Sequence, residues 1–243
     1  MNSREFLKRV IVKTLPVMAG YIVLGIGFGI LFKVNGYGLA WAVLMSVIIF
    51  AGSAQYVGIS LITSGASIIT TALTILMVNA RHLFYGISMI NKYKDAGKRK
   101  PYLIFALTDE TYSLVCNGDY PEGTDKYKYW FLISLANQCY WVTGTIIGSV
   151  LGTVLKFDAT GIDFSMTALF VTVFVEQWLS TKEHKPAIIG LVMSIISLMV
   201  FGSDNFLIPA MILIVVSLYL MQGKLDDNDA NDKEGVNRGM GND

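Results

Sequence analysis

The chain has 243 residues, a mean hydropathy of +0.54, 53% hydrophobic residues and only 15% charged ones, where a soluble domain carries about 25% charge. Its charges gather at residues 4–13, 92–100, 119–128, 182–185 and 224–243, with long uncharged runs between them. This excludes an ordinary soluble enzyme and points to an all-α integral membrane protein, a polytopic helix bundle. The net charge of +1 leaves no basic footprint for nucleic acid.

The first stretch, MNSREFLKRVIVKTLPVMAG, lacks the short apolar core and small-residue cleavage site of a removable signal, so its span is expected to stay as an anchor. Apolar segments follow at 14–32, 39–63, 67–90, 102–116, 129–155, 164–180, 187–202 and 206–222. A crossing needs roughly 20 apolar residues, so several are short. From Gly223 the chain turns polar and Gly-rich, so 223–243 is expected to be a disordered tail and 1–222 a single membrane domain. Cys116 and Cys139 form no disulfide or metal motif and read as packing residues.

If every segment crosses and the N-terminus is cytoplasmic, NKYKDAGKRKP falls outside with its five basic residues, against the positive-inside rule. The conflict disappears if 39–63 enters from outside, breaks at AGSAQ and returns. The same is expected of 164–180 from inside, around Glu176 and Gln177, with 67–90, 102–116 and 129–155 crossing. Sliding 25–38 onto 148–161 also aligns Gly25, Gly29, Lys33 and Gly38 with Gly148, Gly152, Lys156 and Gly161, and lays AGSAQ over FVEQW. The three crossings between their starts, 14–32, 67–90 and 102–116, would give the halves, 14–116 and 129–222, opposite orientation. The expectation is an inverted-topology repeat with broken or re-entrant helices, an architecture of secondary transporters. Gly25 and Gly29, and then Gly144, Gly148 and Gly152, recur every four residues, a spacing that lets helix backbones approach closely.

Five ionisable groups lie within apolar stretches: Arg81, His82, Asp109, Glu110 and Glu176. Each costs roughly 2.5–3.5 kcal/mol at a span's centre and needs a partner or a wet cavity. Arg81 can pair with Asp109, Glu110 or Glu176, and such a pair can be purely structural. One arginine cannot neutralise three acids, however, and an unpaired acid in a low-dielectric site is able to take up and release protons. Asp109, Glu110, Glu176 and His82 are therefore the candidates for proton coupling. Asp109 and Glu110 point about 100° apart on a helix, and which of them faces a cavity is open. Gly52, Ser53, Gln55, Asn79, Arg81, Thr108 and Gln177 are the candidates for substrate binding, with Thr111, Asn137 and Gln138 as further polar neighbours. The set suits a zwitterion: its carboxylate on Arg81 or a half-helix N-terminus, its ammonium on an acid or on carbonyls, its tail on apolar side chains. No phosphate loop, zinc-type histidine pair or Gly-x-Ser-x-Gly elbow occurs, so no cofactor, metal or enzymatic activity is expected.

In order and spacing, GFGILF, FAGSAQYVGISLITSGAS, NARHLFYGISM, TDETYSL and ALFVTVFVEQW resemble the AzlC family, the large subunit of bacterial branched-chain amino acid exporters, over about residues 10–222. The resemblance implies export of leucine, isoleucine, valine and similar apolar amino acids. It also implies a small hydrophobic AzlD-type membrane subunit as partner, coupling to protons, and a multi-pass place in the bacterial inner membrane. A passive channel or uptake carrier for another small polar solute is the alternative. An intramembrane enzyme using His82 with an acid is a poorer one, because no nucleophile and base pair stands at helical spacing.

Overall fold

Three of the apolar segments are interrupted where small or capping residues give the chain another choice than helix. In FAGSA, Phe50 turns to φ +40° and Ala51 is extended, and helix resumes at Gly52. In VNARH, Asn79 closes one helix at φ −92°, ψ 3°, a role its short amide tolerates. In ALTDET, Thr108 is an N-cap whose hydroxyl accepts from the Thr111 N–H at 3.2 Å. Asp109 and Glu110 then fill a first turn, where the helix dipole favours negative charge.

The computed structural model describes residues 3–154, 164, 167–168, 171, 174–175, 178–179, 184–206, 209–210 and 212–221. Among these every regular element is helical: α1 (Ser3–Val34), α2 (Leu39–Ile48), α3 (Gly52–Thr63), α4 (Ile68–Val78), α5 (Arg81–Met89), α6 (Lys100–Phe105), α7 (Asp109–Val115), α8 (Lys126–Val154) and α9 (Lys185–Asn205), then a short apolar helix Ile212–Met221. Arg4–Val34 and Lys185–Gly202 are long and apolar enough to cross a membrane, and α4 with α5, bent by 52°, makes a third such element. The chain divides into two units, Met1–Leu169 and Phe170–Asp243.

In the first unit α1 and α8 lie side by side and run in the same direction. Phe6 meets Tyr129 with ring centroids 5.8 Å apart, the Thr14 hydroxyl is 3.1 Å from that of Tyr140, and Ser149 donates to the Gly29 carbonyl at 3.4 Å. The glycine stripes face each other: a Cβ on Gly25 would lie 2.8 Å from the Trp141 carbonyl oxygen, and one on Gly144 2.6 Å from that of Ile22. Backbone thus packs on backbone, as the four-residue spacing predicts.

The segment 39–63 enters and returns. The chain leaves the carboxyl end of α1, and α2 descends along α8, with Ser46 Oγ 2.9 Å from Thr145 Oγ1 and Gln138 Nε2 donating to the Val47 carbonyl at 3.1 Å. After the break at Phe50–Ala51, α3 climbs back. Gly52 lies against Trp141, and the Tyr56 hydroxyl, further from the tip, donates to the Leu24 carbonyl at 2.7 Å. Gln55 Nε2 donates to Ser46 Oγ at 3.0 Å, tying the two arms together.

The bent pair α4–α5 then traverses the unit, since Met89 and Tyr93 join Phe6 and Val10 in one buried cluster beside the amino end of α1. From that end α6 rises, with Arg99 bound to Asp125 at 2.7 Å and the Tyr102 hydroxyl donating to Gln138 Oε1 at 2.6 Å. The chain breaks at Ala106–Thr108 and α7 returns, so that Val115 rejoins the Phe6 cluster and Lys92 donates to the Cys116 carbonyl.

This corrects one expectation. Segment 102–116 does not run through the first unit from end to end, because its apolar length is divided at Thr108 and its second arm packs along α5 toward the end from which the first arm came. Only one full traverse therefore separates α1 from α8, and the like segments 25–34 and 148–154 point the same way, not in opposite directions. The elements that do enter from opposite ends are the hairpins α2–α3 and α6–α7, whose tips meet at Phe50 and Phe105 with rings 6.4 Å apart.

In the second unit, α9 departs from helical geometry at Gly202 (φ 72°), and Ser197 Oγ donates to the Phe206 carbonyl at 2.7 Å. The Trp178 ring stacks on His184 at 4.1 Å.

Candidate functional site

The three breaks lie at one level, near the middle of α1, and each starts a half-helix there. Ala51 gives α3 no side-chain cap, so its first N–H groups must find other acceptors. Arg81 opens α5 and Asp109 opens α7. These starts are joined directly: Arg81 pairs through one guanidinium nitrogen with Asp109 Oδ2 at 2.5 Å and donates through the other to Ser53 Oγ at 2.9 Å. Arg81 is thus the link between the tips of the two opposed hairpins. Its side chain is 28% exposed and that of Asp109 18%, so the pair is reachable, unlike the buried Ser53.

Glu110 turns to the other side of α7, as two adjacent helical residues must. Its Oε2 accepts from the Tyr21 hydroxyl at 2.7 Å, and the same hydroxyl is 2.6 Å from Thr108 Oγ1. Thr108 and Asn137 Nδ2 each donate to Thr111 Oγ1 at 3.0 Å. A hydroxyl chain therefore runs from Glu110 into the buried face of α8. Both acids of the TDE block have a defined place, one on a guanidinium and the other on a phenol.

His82 Nδ1 is 3.1 Å from the Asn79 carbonyl, and its ring stands edge-on to Tyr85 at 6.0 Å. Asn79 and His82 line a cavity of about 490 Å³ together with Phe50, Ala51 and apolar residues that include Leu83, Met89, Ile90 and Leu107. Among the described residues, no donor reaches the buried side-chain oxygens Asn79 Oδ1 and Asp109 Oδ1 at hydrogen-bond geometry.

Of the sequence candidates, the structure brings Ser53, Arg81, Asp109, Glu110 and Thr108 together and puts Asn79 and His82 beside them. Gln55 does not join: it is fully buried and serves the α2–α3 hairpin. Gly52 belongs to the packing of the tip, where a Cβ would lie 2.8 Å from the Trp141 ring. Glu176 and Gln177 lie outside the described residues. Tyr21 was not among the candidates. A lone tyrosine in an apolar span carries little signal, although its hydroxyl needs a partner wherever it is buried.

Broken helices gathered around an internal charge cluster define a helical membrane protein. The comparisons give the family: residues 16–155 match the AzlC protein family, and the chain belongs to it. It is 42% identical over 213 residues, 88% of this chain and 84% of the relative, to the branched-chain amino acid transport protein AzlC of Bacillus subtilis. An uncharacterized membrane protein of Haemophilus influenzae is 40% identical over 88% of each chain. The inner membrane protein YgaZ of Escherichia coli is 26% identical over 72% of this chain and 73% of its own. No solved structure matches.

Proposed function

We propose that the chain is a secondary transporter exporting branched-chain amino acids across the bacterial inner membrane, coupled to protons and working with a small AzlD-type membrane subunit. The observation that carries this reading is the 42% likeness to a branched-chain amino acid transport protein, in a fold whose broken helices meet around Arg81 and Asp109. Asp109, Glu110, Glu176 and His82 are its coupling residues. Ser53, Asn79, Arg81, Thr108 and Gln177 are its binding residues, and Gly52 and Gln55 keep the α2–α3 tip in shape.

A cytoplasmic N-terminus is supported by the end of the first unit that holds Arg4, Lys8, Arg9, Lys13, the basic loop 92–100, Lys126 and Lys128, against Lys33 at the other end among the described residues. That asymmetry is what the positive-inside rule asks for. The inverted relation of the transporter then links α1–α3 with α4–α7, each a traverse followed by a hairpin.

The test is leucine efflux from cells fed a leucine-containing dipeptide, with the chain expressed alone and with its small partner, with and without protonophore. Faster efflux that needs the partner and is lost with protonophore supports the reading. Unchanged efflux with the protein in the membrane overturns the substrate, and efflux indifferent to protonophore favours a passive pathway.

A further inference from the structure

The Arg81–Asp109 pair has the two charges of an α-amino acid head group in reversed roles, a cation facing a carboxylate at 2.5 Å. Resting on the transport reading above, we infer that this pair is itself the head-group site: the substrate carboxylate takes the place of Asp109 on the guanidinium, and the substrate ammonium takes Asp109 as its counter-ion.

Four features carry this. Arg81 uses separate nitrogens for Asp109 and Ser53, so losing Asp109 leaves the guanidinium anchored to α3. Asp109 Oδ1, beside Tyr85, and Asn79 Oδ1 are buried acceptors that meet no donor at hydrogen-bond geometry among the described residues, and an ammonium brings three donors. The cavity of about 490 Å³ is lined by Asn79 and His82, which flank Arg81 closely in sequence, by Lys100, and otherwise mainly by aliphatic and aromatic side chains. It lies within the roughly 300–1,000 Å³ usual for small-ligand sites and suits an aliphatic tail. Finally, exchanging one carboxylate for another keeps every charge paired throughout, so no bare ion is left at membrane depth, where it would be most costly.

A consequence follows for the hairpins. In the empty protein Arg81 binds the α6–α7 tip directly, whereas with substrate the amino acid stands between Arg81 and Asp109 while the Ser53 contact stays direct. Occupancy thus loosens one tip and not the other.

The test is competition against radiolabelled leucine uptake into inverted membrane vesicles carrying the chain with its small partner. The competitors are leucine, leucinol, which lacks the carboxylate, and 4-methylpentanoate, which lacks the ammonium. Each single-headed analogue strands one member of the pair and is expected to compete at least about 100-fold more weakly than leucine. Either analogue within about threefold of leucine overturns the head-group site while leaving the transport reading intact; no leucine uptake at all overturns both. The double variant Arg81→Gln with Asp109→Asn removes both charges of the pair together, so that neither is left facing an empty place. It is expected to insert normally and lose saturable leucine uptake, and an unchanged KM would reject the inference.

Discussion

The Tyr21 hydroxyl donates to Glu110 Oε2 at 2.7 Å while standing 2.6 Å from Thr108 Oγ1. A phenol has one proton, so only one of these contacts is a donation from Tyr21 at any moment. With Glu110 ionised the proton points to the carboxylate. With Glu110 protonated the acid becomes the donor and Tyr21 can turn its proton to Thr108. The hydroxyl chain therefore has two orientations selected by the charge on Glu110.

Tyr21→Phe keeps the ring contacts with Phe50 and Trp141 and removes only the hydroxyl. Losing a hydrogen bond to a charged group is expected to cost about 1.5–3 kcal/mol, read as a lower unfolding temperature in detergent. Leucine efflux driven by the proton gradient is expected to fall further than counterflow of leucine against leucine, which needs no net proton movement. Equal loss of both would reduce Tyr21 to a packing residue.

The acids are expected to separate by role. Glu110→Gln fixes the hydroxyl chain in its neutral orientation, so leucine exchange should persist while gradient-driven efflux disappears. Asp109→Asn leaves the Arg81 guanidinium without its carboxylate and should impair both. Efflux and exchange assays on the same vesicles, with insertion checked by immunoblot, distinguish these outcomes. Normal gradient-driven efflux in both variants would remove these acids from coupling.

Much of this arrangement is legible in the sequence. The glycine spacing marks helix faces that allow close backbone approach, and AGSAQ marks the first break to within a residue or two. The direction of segment 102–116 is not legible, because its apolar length suits a traverse and its return at Thr108 depends on Tyr21 and Arg81, distant in sequence, being there to receive Glu110 and Asp109. One misplaced traverse then inverts everything after it. That is why the alignment of 25–38 with 148–161 suggests opposite orientation for α1 and α8, which run side by side. Gln55 shows the same dependence on distant partners: its amide nitrogen donates to Ser46 on the other arm, while its Oε1 meets no donor among the described residues.

The glycines of the α1–α8 contact are expected to be intolerant in proportion to the room around them. At Gly25 and Gly144 the nearest atoms are backbone and cannot move aside. Gly25→Val or Gly144→Val should push the helices apart and lower the amount of folded protein severalfold. Gly20→Ala, with nothing within 4 Å, should be silent or slightly stabilising, since alanine favours helix over glycine by about 1 kcal/mol. Fluorescence-detected size-exclusion chromatography compares the three directly, and equal profiles would mean that the close contact is dispensable.

At Gly52 the obstacle is a side chain, and that makes a rescue possible. A Cβ there would lie 2.8 Å from the rim of the Trp141 indole, which is buried at 3% exposure and held against Tyr21 and Phe28. Gly52→Leu is expected to abolish transport by displacing the α2–α3 tip, and with it Ser53 from Arg81. Gly52→Ala should be milder.

The topology can be decided by labelling. Lys98 and Glu122 belong to the loops that flank the α6–α7 hairpin, at the end of the unit that holds the amino end of α1, while Ser64 follows α3 at the other end. Cysteines placed singly at these positions, in a background with Cys116 and Cys139 replaced by serine, are expected to divide accordingly. Lys98→Cys and Glu122→Cys should react with a membrane-impermeant maleimide only in inverted vesicles, and Ser64→Cys only in intact spheroplasts. The informative pair is Lys98 and Glu122: a crossing at 102–116 would put them on opposite sides, whereas a re-entrant hairpin keeps them together. Labelling of Glu122→Cys from outside would restore that crossing, turn α8 antiparallel to α1, and remove the basis on which Arg81 joins two opposed hairpin tips.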